Sequence, residues 1–276
     1  MGVNSTRYTV GRFANHFFRN MAVSFIAKKN NLRIDYSLVP EFTSMGIDFF
    51  SGKNVYHEVL PIHDSNFFSL IQGPPVYKNI VVSGPMHCQT RDFTVFLSDY
   101  FSSKEIQQKV IDSNQYKQRY GKNEEVFVHV RLGDVPQFNP GFEYYDCALV
   151  QAKIFPGFTG GYVSSDSIDD PMCQRLMKKY NLQKWVANEV DTIKMASTCK
   201  ILVLSNGTFS WFMGLLGFFT DAVYYPKIHR VWHGDIYVNN RWIELDPRSL
   251  PKHSLFNNSV SKSQSSTLPR PSLCKG

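Results

Sequence analysis

The stretch Val126-Phe-Val-His-Val-Arg-Leu-Gly-Asp-Val135 decides the fold class of this chain. Four of its first five residues are apolar and Gly133 follows soon after, so the pattern predicts a buried strand that runs into a loop. His129, Arg131 and Asp134 stand where this strand ends. An imidazole and a guanidinium on one face of a buried strand need anionic or hydrogen-bonding partners. In open α/β sheets such partners lie beyond the carboxyl ends of the strands, which predicts an anion-binding site here.

Composition narrows the class of protein. A chain of 276 residues that is 43% hydrophobic and 14% aromatic can bury one large core or two modest ones. The net charge of +7 and the pI near 9.1 fit nucleic acid, a membrane surface or an acidic small substrate as partner. The basic residues are spread out, and no alternation of aromatic and basic residues typical of an RNA-binding sheet is present, so we expect no nucleic-acid partner.

Cysteine usage and hydropathy bear on the compartment. The five cysteines are widely spaced, with neither a CxxC pair nor a Cys/His zinc spacing, which favours reduced thiols in the cytoplasm. The N-terminus has no charged-then-apolar signal segment. The most apolar window, residues 201 to 219, is interrupted by polar residues between 205 and 210, and a membrane span needs about 20 mostly apolar residues. We therefore expect a soluble cytoplasmic protein without a membrane span.

Two further strand-to-helix turns carry polar groups. A short strand that ends at Val10 is followed by Gly11, Arg12 and Asn15, and then by a helix that closes at Lys29. A strand over residues 200 to 204 is followed by a turn rich in hydroxyl and amide groups and by a buried helix. The polar residues of that turn are Ser205, Asn206, Thr208 and Ser210, with Phe209 among them. These hydroxyls exceed what one helix cap requires, which favours a bound oxyanion.

The remaining segments complete an α/β pattern. Gly160 to Asp166 predicts a strand that ends at an acidic side chain, a candidate to contact a base or a ribose. Asp169 and Asp170 then cap a helix, and further helices are expected over residues 95 to 111, with a break near 102–103, and over 189 to 197. Strands are expected from Asn79 and over residues 223 to 226. Irregular loops around short strands are expected over residues 30 to 78, and a loop over residues 135 to 145.

Three motifs follow one another along the chain: Gly11-Arg-Phe-Ala-Asn-His16, His129-Val-Arg-Leu-Gly-Asp134 and Ser205-Asn-Gly-Thr-Phe-Ser-Trp211. In sequence and in order they resemble the motifs of glycosyltransferase family 11, the α-1,2-fucosyltransferases. The family patterns are Gly-x-x-x-Asn-Gln, His-x-Arg-Arg-Gly-Asp and Asn-Ser-Ser-Phe-Ser-Trp-Trp. The resemblance covers roughly residues 8 to 230 and extends to the wider α-1,2, α-1,6 and O-fucosyltransferase superfamily.

The resemblance implies a GT-B-type α/β fold, in which two Rossmann-like domains face a cleft. Residues 1–120 would form the acceptor-side domain, residues 121–245 the domain that binds the nucleotide sugar, and residues 246–276 a disordered tail. It also implies inverting transfer from GDP-fucose to a glycan hydroxyl without a metal, and the chain indeed has no Asp-x-Asp carboxylate pair. No other cofactor is expected.

Roles follow for the motif residues. Arg131, His129 and Asp134 are the candidate catalytic residues. Donor and phosphate binding is expected of Gly11, Arg12, Asn15, Asp166, Ser205, Asn206, Thr208, Phe209 and Ser210. The general base stays open among Asp134, Glu143 and Asp146, with the latter two expected as exposed, solvated carboxylates.

Departures from the family pattern leave the donor open. Leu132 stands where the family has its second arginine, and strand alternation turns it to the face opposite Arg131, where it would pack. His16, Thr208 and Phe212 replace a Gln, a Ser and a Trp. One cation fewer admits a UDP-linked pentose or hexose as donor. It also admits a carbohydrate- or nucleotide-binding protein without catalysis, while a nucleic-acid-binding protein would rest on the pI alone.

Overall fold

The structure, a computed structural model, describes residues 3–7, 11–134, 136–227, 235–246 and 248–249. Within these ranges the helices are α1 Phe13–Asn30, α2 Val39–Ser44, α3 Phe67–Gln72, α4 Arg91–Phe101, α5 Lys104–Asp112, α6 Phe142–Ala152, α7 Pro171–Tyr180, α8 Glu189–Ala196 and α9 Thr208–Leu215. The strands are β1 Val59–Ile62, β2 Asn79–Val82, β3 Val126–Val130, β4 Gly161–Ser165, β5 Leu182–Lys184, β6 Ile201–Val203, β7 Ala222–Pro226 and β8 Ile243–Leu245.

Six of these strands form one parallel sheet in the order β5-β4-β3-β6-β7-β8. Numbered from β3, this is the order 3-2-1-4-5-6 of a Rossmann-like sheet. Within this sheet the chain first forms the central strand β3 and adds β4 and β5 on one side. It then returns to the centre and adds β6, β7 and β8 on the other side, so the strand order reverses between β3 and β6. In such sheets the crevice outside the carboxyl ends of these two central strands binds ligands. The α/β prediction with a parallel sheet is confirmed.

The opening stretch forms the central strand, and its side chains alternate between two cores. Val126, Val128 and Val130 pack on one face, in a cluster to which α6 and α7 contribute. Phe127 packs on the other face, against α1, α8 and α9. A strand that is covered on both faces is buried along its whole length, which explains the continuous apolar run.

The described residues before position 120 pack directly on this second face. Helix α1 lies against α9, where the Phe17 and Phe212 rings stack with centroids 4.0 Å apart and Phe18 lies 4.8 Å from Trp211. Strands β1 and β2 form a separate two-stranded parallel sheet. The buried side chains of both regions belong to one cluster, so the core continues across residue 120. A boundary there, and a second Rossmann-like domain, stay predictions.

Most predicted elements are confirmed. Helices α4 and α5 are separated at residues 102–103, and the expected strands and helices from residue 79 onward appear as β2, β4, β6, β7, α7, α8 and α9. Helix α1 ends at Asn30, and the next residue, Asn31, has the left-handed backbone conformation that is common after a helix. Lys28 and Lys29 lie in the last turn, which agrees with the helix end predicted from these two charges. The strand expected to end at Val10 and nearly all of the tail from residue 246 lie outside the described residues.

Two local predictions are wrong. The loop expected up to residue 145 already contains the start of α6 at Phe142, because Tyr144 and Tyr145 are fully buried against β3 and β6 and the sequence gives such aromatic residues no loop signature. Asp169 is not a cap: its carboxylate binds Lys184 Nζ at 2.8 Å, while Asp170 alone accepts the Met172 N–H. The region of residues 30 to 78 contains the short strand β1, as expected, and also the short helices α2 and α3, which were not expected.

Two further observations concern the cysteines and the lengths of the helices. Cys88, Cys173 and Cys199 are buried free thiols. None of the helices in the described ranges is both long and apolar enough to cross a bilayer.

We predict that the two regions unfold together. Phe212→Ala removes the ring that stacks on Phe17, and truncation of a buried Phe lowers the free energy of unfolding by about 3–5 kcal/mol. Chemical denaturation should show this loss in a single transition when followed by circular dichroism and by tryptophan fluorescence.

Phe219→Ala is the matched control, since that ring is 49% exposed and its loss should cost less than about 1 kcal/mol. Two separate transitions in the wild type, of which only one responds to Phe212→Ala, would show instead that the regions are independent.

Candidate functional site

A cleft of about 990 Å³ lies at the carboxyl ends of β3 and β4, beside the first turn of α9. Its wall contains nine of the predicted site residues, from all three motifs and from the end of β4. They are Gly11, Arg12, Asn15, His129, Arg131, Asp134, Asp166, Thr208 and Phe209. The position agrees with the switch point of the sheet, where the strand order reverses. The structure therefore brings four distant sequence segments together in one cavity.

Arg131 and Asp134 form a two-pronged ion pair inside the cleft. Arg131 Nε donates to Asp134 Oδ1 at 3.2 Å, and Nη2 donates to Oδ2 at 3.0 Å. The hydrogen bond from Arg131 is the main cause that lowers the pKa of Asp134. A planar guanidinium that holds two carboxylate oxygens in this way has the geometry that also binds two phosphate oxygens. His129 and Arg131 both line the cleft, as the strand alternation predicted.

Arg12 adds a second guanidinium from the first region. Its Nε lies 3.4 Å from Asp134 Oδ2, and its Nη1 lies 3.4 Å from Asp166 Oδ2. The side chain is 57% exposed, so these ion pairs are weak and the guanidinium can turn toward a ligand. The four charged side chains balance in formal charge, with two cations and two carboxylates.

Asp166 holds the loop after β3 in place. Its Oδ1 accepts the N–H groups of Leu132 and Gly133 at 2.8 and 2.9 Å. Burial works to raise the pKa of Asp166 and is the largest influence, but these two N–H groups, the nearby His129 ring and the hydrogen bond from Arg12 leave the pKa lowered. A Cβ at residue 133 would lie 2.9 Å from Asp166 Oδ2, so glycine permits this close approach. Asp166 thus supports the motif loop.

His129 is a buried imidazole in the wall of the cleft. Ser210 Oγ accepts the Ser205 N–H at 3.0 Å and shares a second hydrogen bond with Nδ1 of His129 at 2.6 Å. In the tautomer in which Ser210 donates this second bond, the ring proton lies on Nε2. Burial lowers the pKa of His129 to about 4; Asp166 opposes this shift, and Arg131 adds to it.

Three predicted residues of the late motif do not line the cleft. Ser205 and Ser210 are fully buried, and Asn206 is 6% exposed. Ser205 Oγ accepts hydrogen bonds from the Arg131 N–H and the Tyr145 hydroxyl, at 3.3 and 3.0 Å. These hydroxyls therefore fix the strand ends of β3 and β6 rather than contact a ligand. Sequence reasoning missed this because a hydroxyl at a strand end carries no sign of which side it faces.

The turn before α9 is fixed from two sides. The Tyr237 hydroxyl lies 2.8 and 3.0 Å from the carbonyl oxygens of Ser205 and Gly207. On the cleft side, Asn15 Oδ1 accepts from Thr208 Oγ1 at 3.0 Å and from Gln89 Nε2 at 2.8 Å. The first N–H groups of α9 have no carbonyl partner within their own helix, and Thr208 and Phe209 of this first turn line the cleft. Such a helix start attracts anions.

Several cleft residues were not singled out from the sequence. Glu189 and Thr192 from α8 line the wall, together with His87, Ser164 and Ser165. The two serines belong to the strand that had been predicted to end at Asp166. Three further residues do not line the cleft but form hydrogen bonds to the site residues Asn15 and Ser205; they are Gln89, Tyr145 and Tyr237. A single chain offers no signal for such long-range pairs.

Two candidates for the general base lie elsewhere. Asp146 was expected as a solvated carboxylate, but it is 3% exposed and accepts from Lys179 Nζ at 2.5 Å and the Tyr180 hydroxyl at 2.7 Å. That prediction is wrong, because helix α6 turns Asp146 inward against α7. Glu143 lies exposed in the first turn of α6 and is not part of the cleft wall.

Other features of the described residues add no rival to this cleft. No group of three or more His, Cys, Asp or Glu side chains there is arranged to hold a metal ion. A second cavity, of about 480 Å³, lies at the other end of α9 beside Leu215 and Trp242 and contains none of the predicted site residues.

No protein family, no curated protein and no solved structure was found to match this chain.

The buried His129 predicts a pH dependence of stability. Its folded pKa of about 4 lies below the unfolded value near 6.5, so between these values only the unfolded chain binds a proton there. Stability is therefore lost as the pH falls through this window. From pH 7 to pH 5, the free energy of unfolding of the wild type should fall by about 2 kcal/mol more than that of His129→Asn.

Urea denaturation at pH 7, 6 and 5 measures this difference. Asparagine places an amide near the position of Nδ1 and does not titrate. The other titrating groups are the same in the two proteins, so the difference between them reports the protonation of His129. Parallel curves for the two would mean that His129 is not held neutral.

Proposed function

We propose that this protein is an inverting glycosyltransferase, which moves a sugar from a nucleotide-sugar donor to a glycan hydroxyl without a metal ion. The proposal is carried by one observation. At the switch point of a Rossmann-ordered sheet, a cleft of about 990 Å³ combines two guanidinium groups, Arg12 and Arg131, with the start of helix α9. Crevices at this position bind nucleotides in many open α/β sheets.

The wider architecture of the proposal is of the GT-B type. Residues 121–245 supply the sheet and would bind the donor, and residues 1–120 would face them and bind the acceptor. In support, the cleft wall draws Arg12, Asn15 and His87 from the first region and its other charged residues from the second. A substrate between the two regions would thus contact both.

Arg131 would bind the diphosphate. Its Nε and Nη2 hold the two oxygens of Asp134 at 3.2 and 3.0 Å, and a diphosphate offers the same pair of acceptors with more charge. The Asp134 carboxylate would thus accept the hydrogen bonds of Arg131 until the donor binds. The donor would displace Asp134 from Arg131 and leave it the contact with Arg12, whose Nε lies 3.4 Å from Oδ2.

Charge develops on the leaving group when the bond between the sugar and the phosphate breaks. Arg131 stays charged at all relevant pH values and is 13% exposed, so its field is poorly screened by water. The start of α9 would add partial positive charge, and His129 would donate from Nε2 to a phosphate or sugar oxygen. Because these donors are held in place beforehand, little reorganisation is needed in the transition state.

Leu132 bears on the identity of the donor. The side chain packs in the cluster of Val128 and Val130, on the face opposite Arg131, so an arginine there would also start from the far side of the strand. Arg12 brings a second guanidinium to Asp134 and Asp166 from the other region. We therefore propose GDP-fucose as the donor, by resemblance, with a UDP-linked pentose or hexose as the alternative.

A donor screen tests the proposal. The protein is incubated with GDP-fucose, UDP-sugars and dTDP-sugars, with and without EDTA, and release of the nucleoside diphosphate is measured. We expect slow hydrolysis of GDP-fucose that EDTA leaves unchanged. In Arg131→Ala the rate should fall by at least about a hundredfold, since one preorganised donor to an oxyanion contributes about 3 kcal/mol.

Arg175→Ala is the matched control, because that guanidinium lies over the Phe142 ring at 3.6 Å, outside the cleft wall. Turnover of a UDP-sugar alone would correct the donor and keep the reaction class. Tight nucleotide binding without turnover would favour a binding protein, and loss of activity in EDTA would contradict the metal-free mechanism.

A further inference from the structure

The cleft wall contains three carboxylates among the described residues, Asp134, Asp166 and Glu189. Transfer of a sugar to a hydroxyl releases the hydroxyl proton, so a general base must reach the acceptor from the wall of the cleft. A carboxylate suits this role when its oxygens are not already engaged by cations and N–H groups. The three differ sharply in this respect.

Asp134 and Asp166 are engaged. Both oxygens of Asp134 accept from Arg131, and Arg12 lies beside it. Asp166 accepts two backbone N–H groups and contacts Arg12. These partners favour the charged forms and lower the pKa of both groups, which makes them weak bases. Their contacts also hold the phosphate-binding arginines and the loop after β3, and a proton on either would loosen them.

Glu189 differs from both. It is the first residue of α8, its side chain is exposed, and within the described part of the chain it makes neither a hydrogen bond nor an ion pair. Thr192, almost one turn further along α8, also lines the cleft, so this face of the helix is turned toward the substrate space. Glu189 is thus a cleft carboxylate whose oxygens are available.

An acidic residue in a first helical turn has an ordinary structural explanation, since it favours the helix dipole. Here that role is already filled. Asn188 caps α8 by accepting the Asp191 N–H at 2.8 Å, and Asp191 itself supplies a negative charge in the first turn. Helix stability therefore does not require the carboxylate at Glu189.

We propose that Glu189 is the general base of the reaction. This inference rests on the proposed function. A Glu189 oxygen takes the proton of the acceptor hydroxyl, and the acceptor oxygen forms a bond to the anomeric carbon of the donor. The bond between that carbon and the phosphate oxygen breaks, its electron pair stays with the nucleoside diphosphate, and Glu189 later returns the proton to water.

Nucleophiles with and without a proton test the inference. Glu189→Gln is incubated with GDP-fucose, or with the UDP-sugar that the donor screen selects, in water and in sodium azide. Water must lose a proton during transfer, whereas the azide ion has none to lose. We expect hydrolysis to fall by about a hundredfold, within the usual range for general-base catalysis, while formation of the glycosyl azide stays within about threefold of the wild-type rate.

Glu105→Gln is the matched control, because Glu105 is also an exposed acid in a first helical turn, in α5, outside the cleft wall. It should leave both rates unchanged. Unchanged hydrolysis in Glu189→Gln would overturn the inference, and so would an equal loss of hydrolysis and azide transfer, which marks a structural or donor-binding role. A wild type that turns over neither nucleophile would overturn the proposed function, and this inference with it.

Discussion

Buried hydrogen bonds between the ends of β3 and β6 hold the site together. Ser210 Oγ joins the His129 ring at 2.6 Å to the backbone N–H of Ser205, whose own hydroxyl accepts the Arg131 N–H at 3.3 Å. Both hydroxyls are fully buried, and a buried polar group that loses its partner costs about 1–3 kcal/mol. The ring tautomer of His129 and the direction of the Arg131 backbone both depend on these contacts.

Charge balance governs how the cleft would respond to an anion. The charges of Arg12, Arg131, Asp134 and Asp166 compensate one another, so neither guanidinium group beside the buried imidazole lacks a carboxylate partner. Burial, together with the charge of Arg131, disfavours protonation of His129, so the ring stays neutral at physiological pH. A diphosphate would replace a carboxylate at Arg131, and the preorganised fork would need little rearrangement. Asp134 and Asp166 are paired with these arginines, whereas Glu189 in the same cleft wall has no hydrogen-bond or ion-pair partner among the described residues.

The sequence predicted the sheet and the strand ends well, because both follow from local patterns. The valine run of β3 identifies a strand covered on both faces, and parallel strands align their carboxyl ends, so Arg131 and Asp166 had to lie near one another. Leu132 was also placed correctly, since side chains alternate along a strand and it packs opposite Arg131. These inferences required no knowledge of distant contacts.

The sequence could not distinguish the polar groups of the late motif that face the cleft from those that lie behind its wall. In the sequence Ser205 and Ser210 look like ligand-binding residues. In the structure their buried hydroxyls form hydrogen bonds with the Arg131 N–H and the His129 ring instead. Asp146 is buried because α6 packs against α7, which depends on tertiary structure. Glu189 reads in the sequence as an ordinary acid at a helix start, and only the position of α8 at the cleft distinguishes it.

The central claim is that Arg131 binds the diphosphate of a nucleotide-sugar donor. Calorimetric titration of guanosine, GMP and GDP into the wild type and Arg131→Ala tests it most directly, with the uridine series in the event of a UDP-sugar donor. Hydrogen bonds to charged groups contribute about 1.5–3 kcal/mol, so Arg131→Ala should weaken GDP binding by about ten- to a hundredfold and leave guanosine binding unchanged. Equal affinities of the two proteins for GDP would contradict the claim.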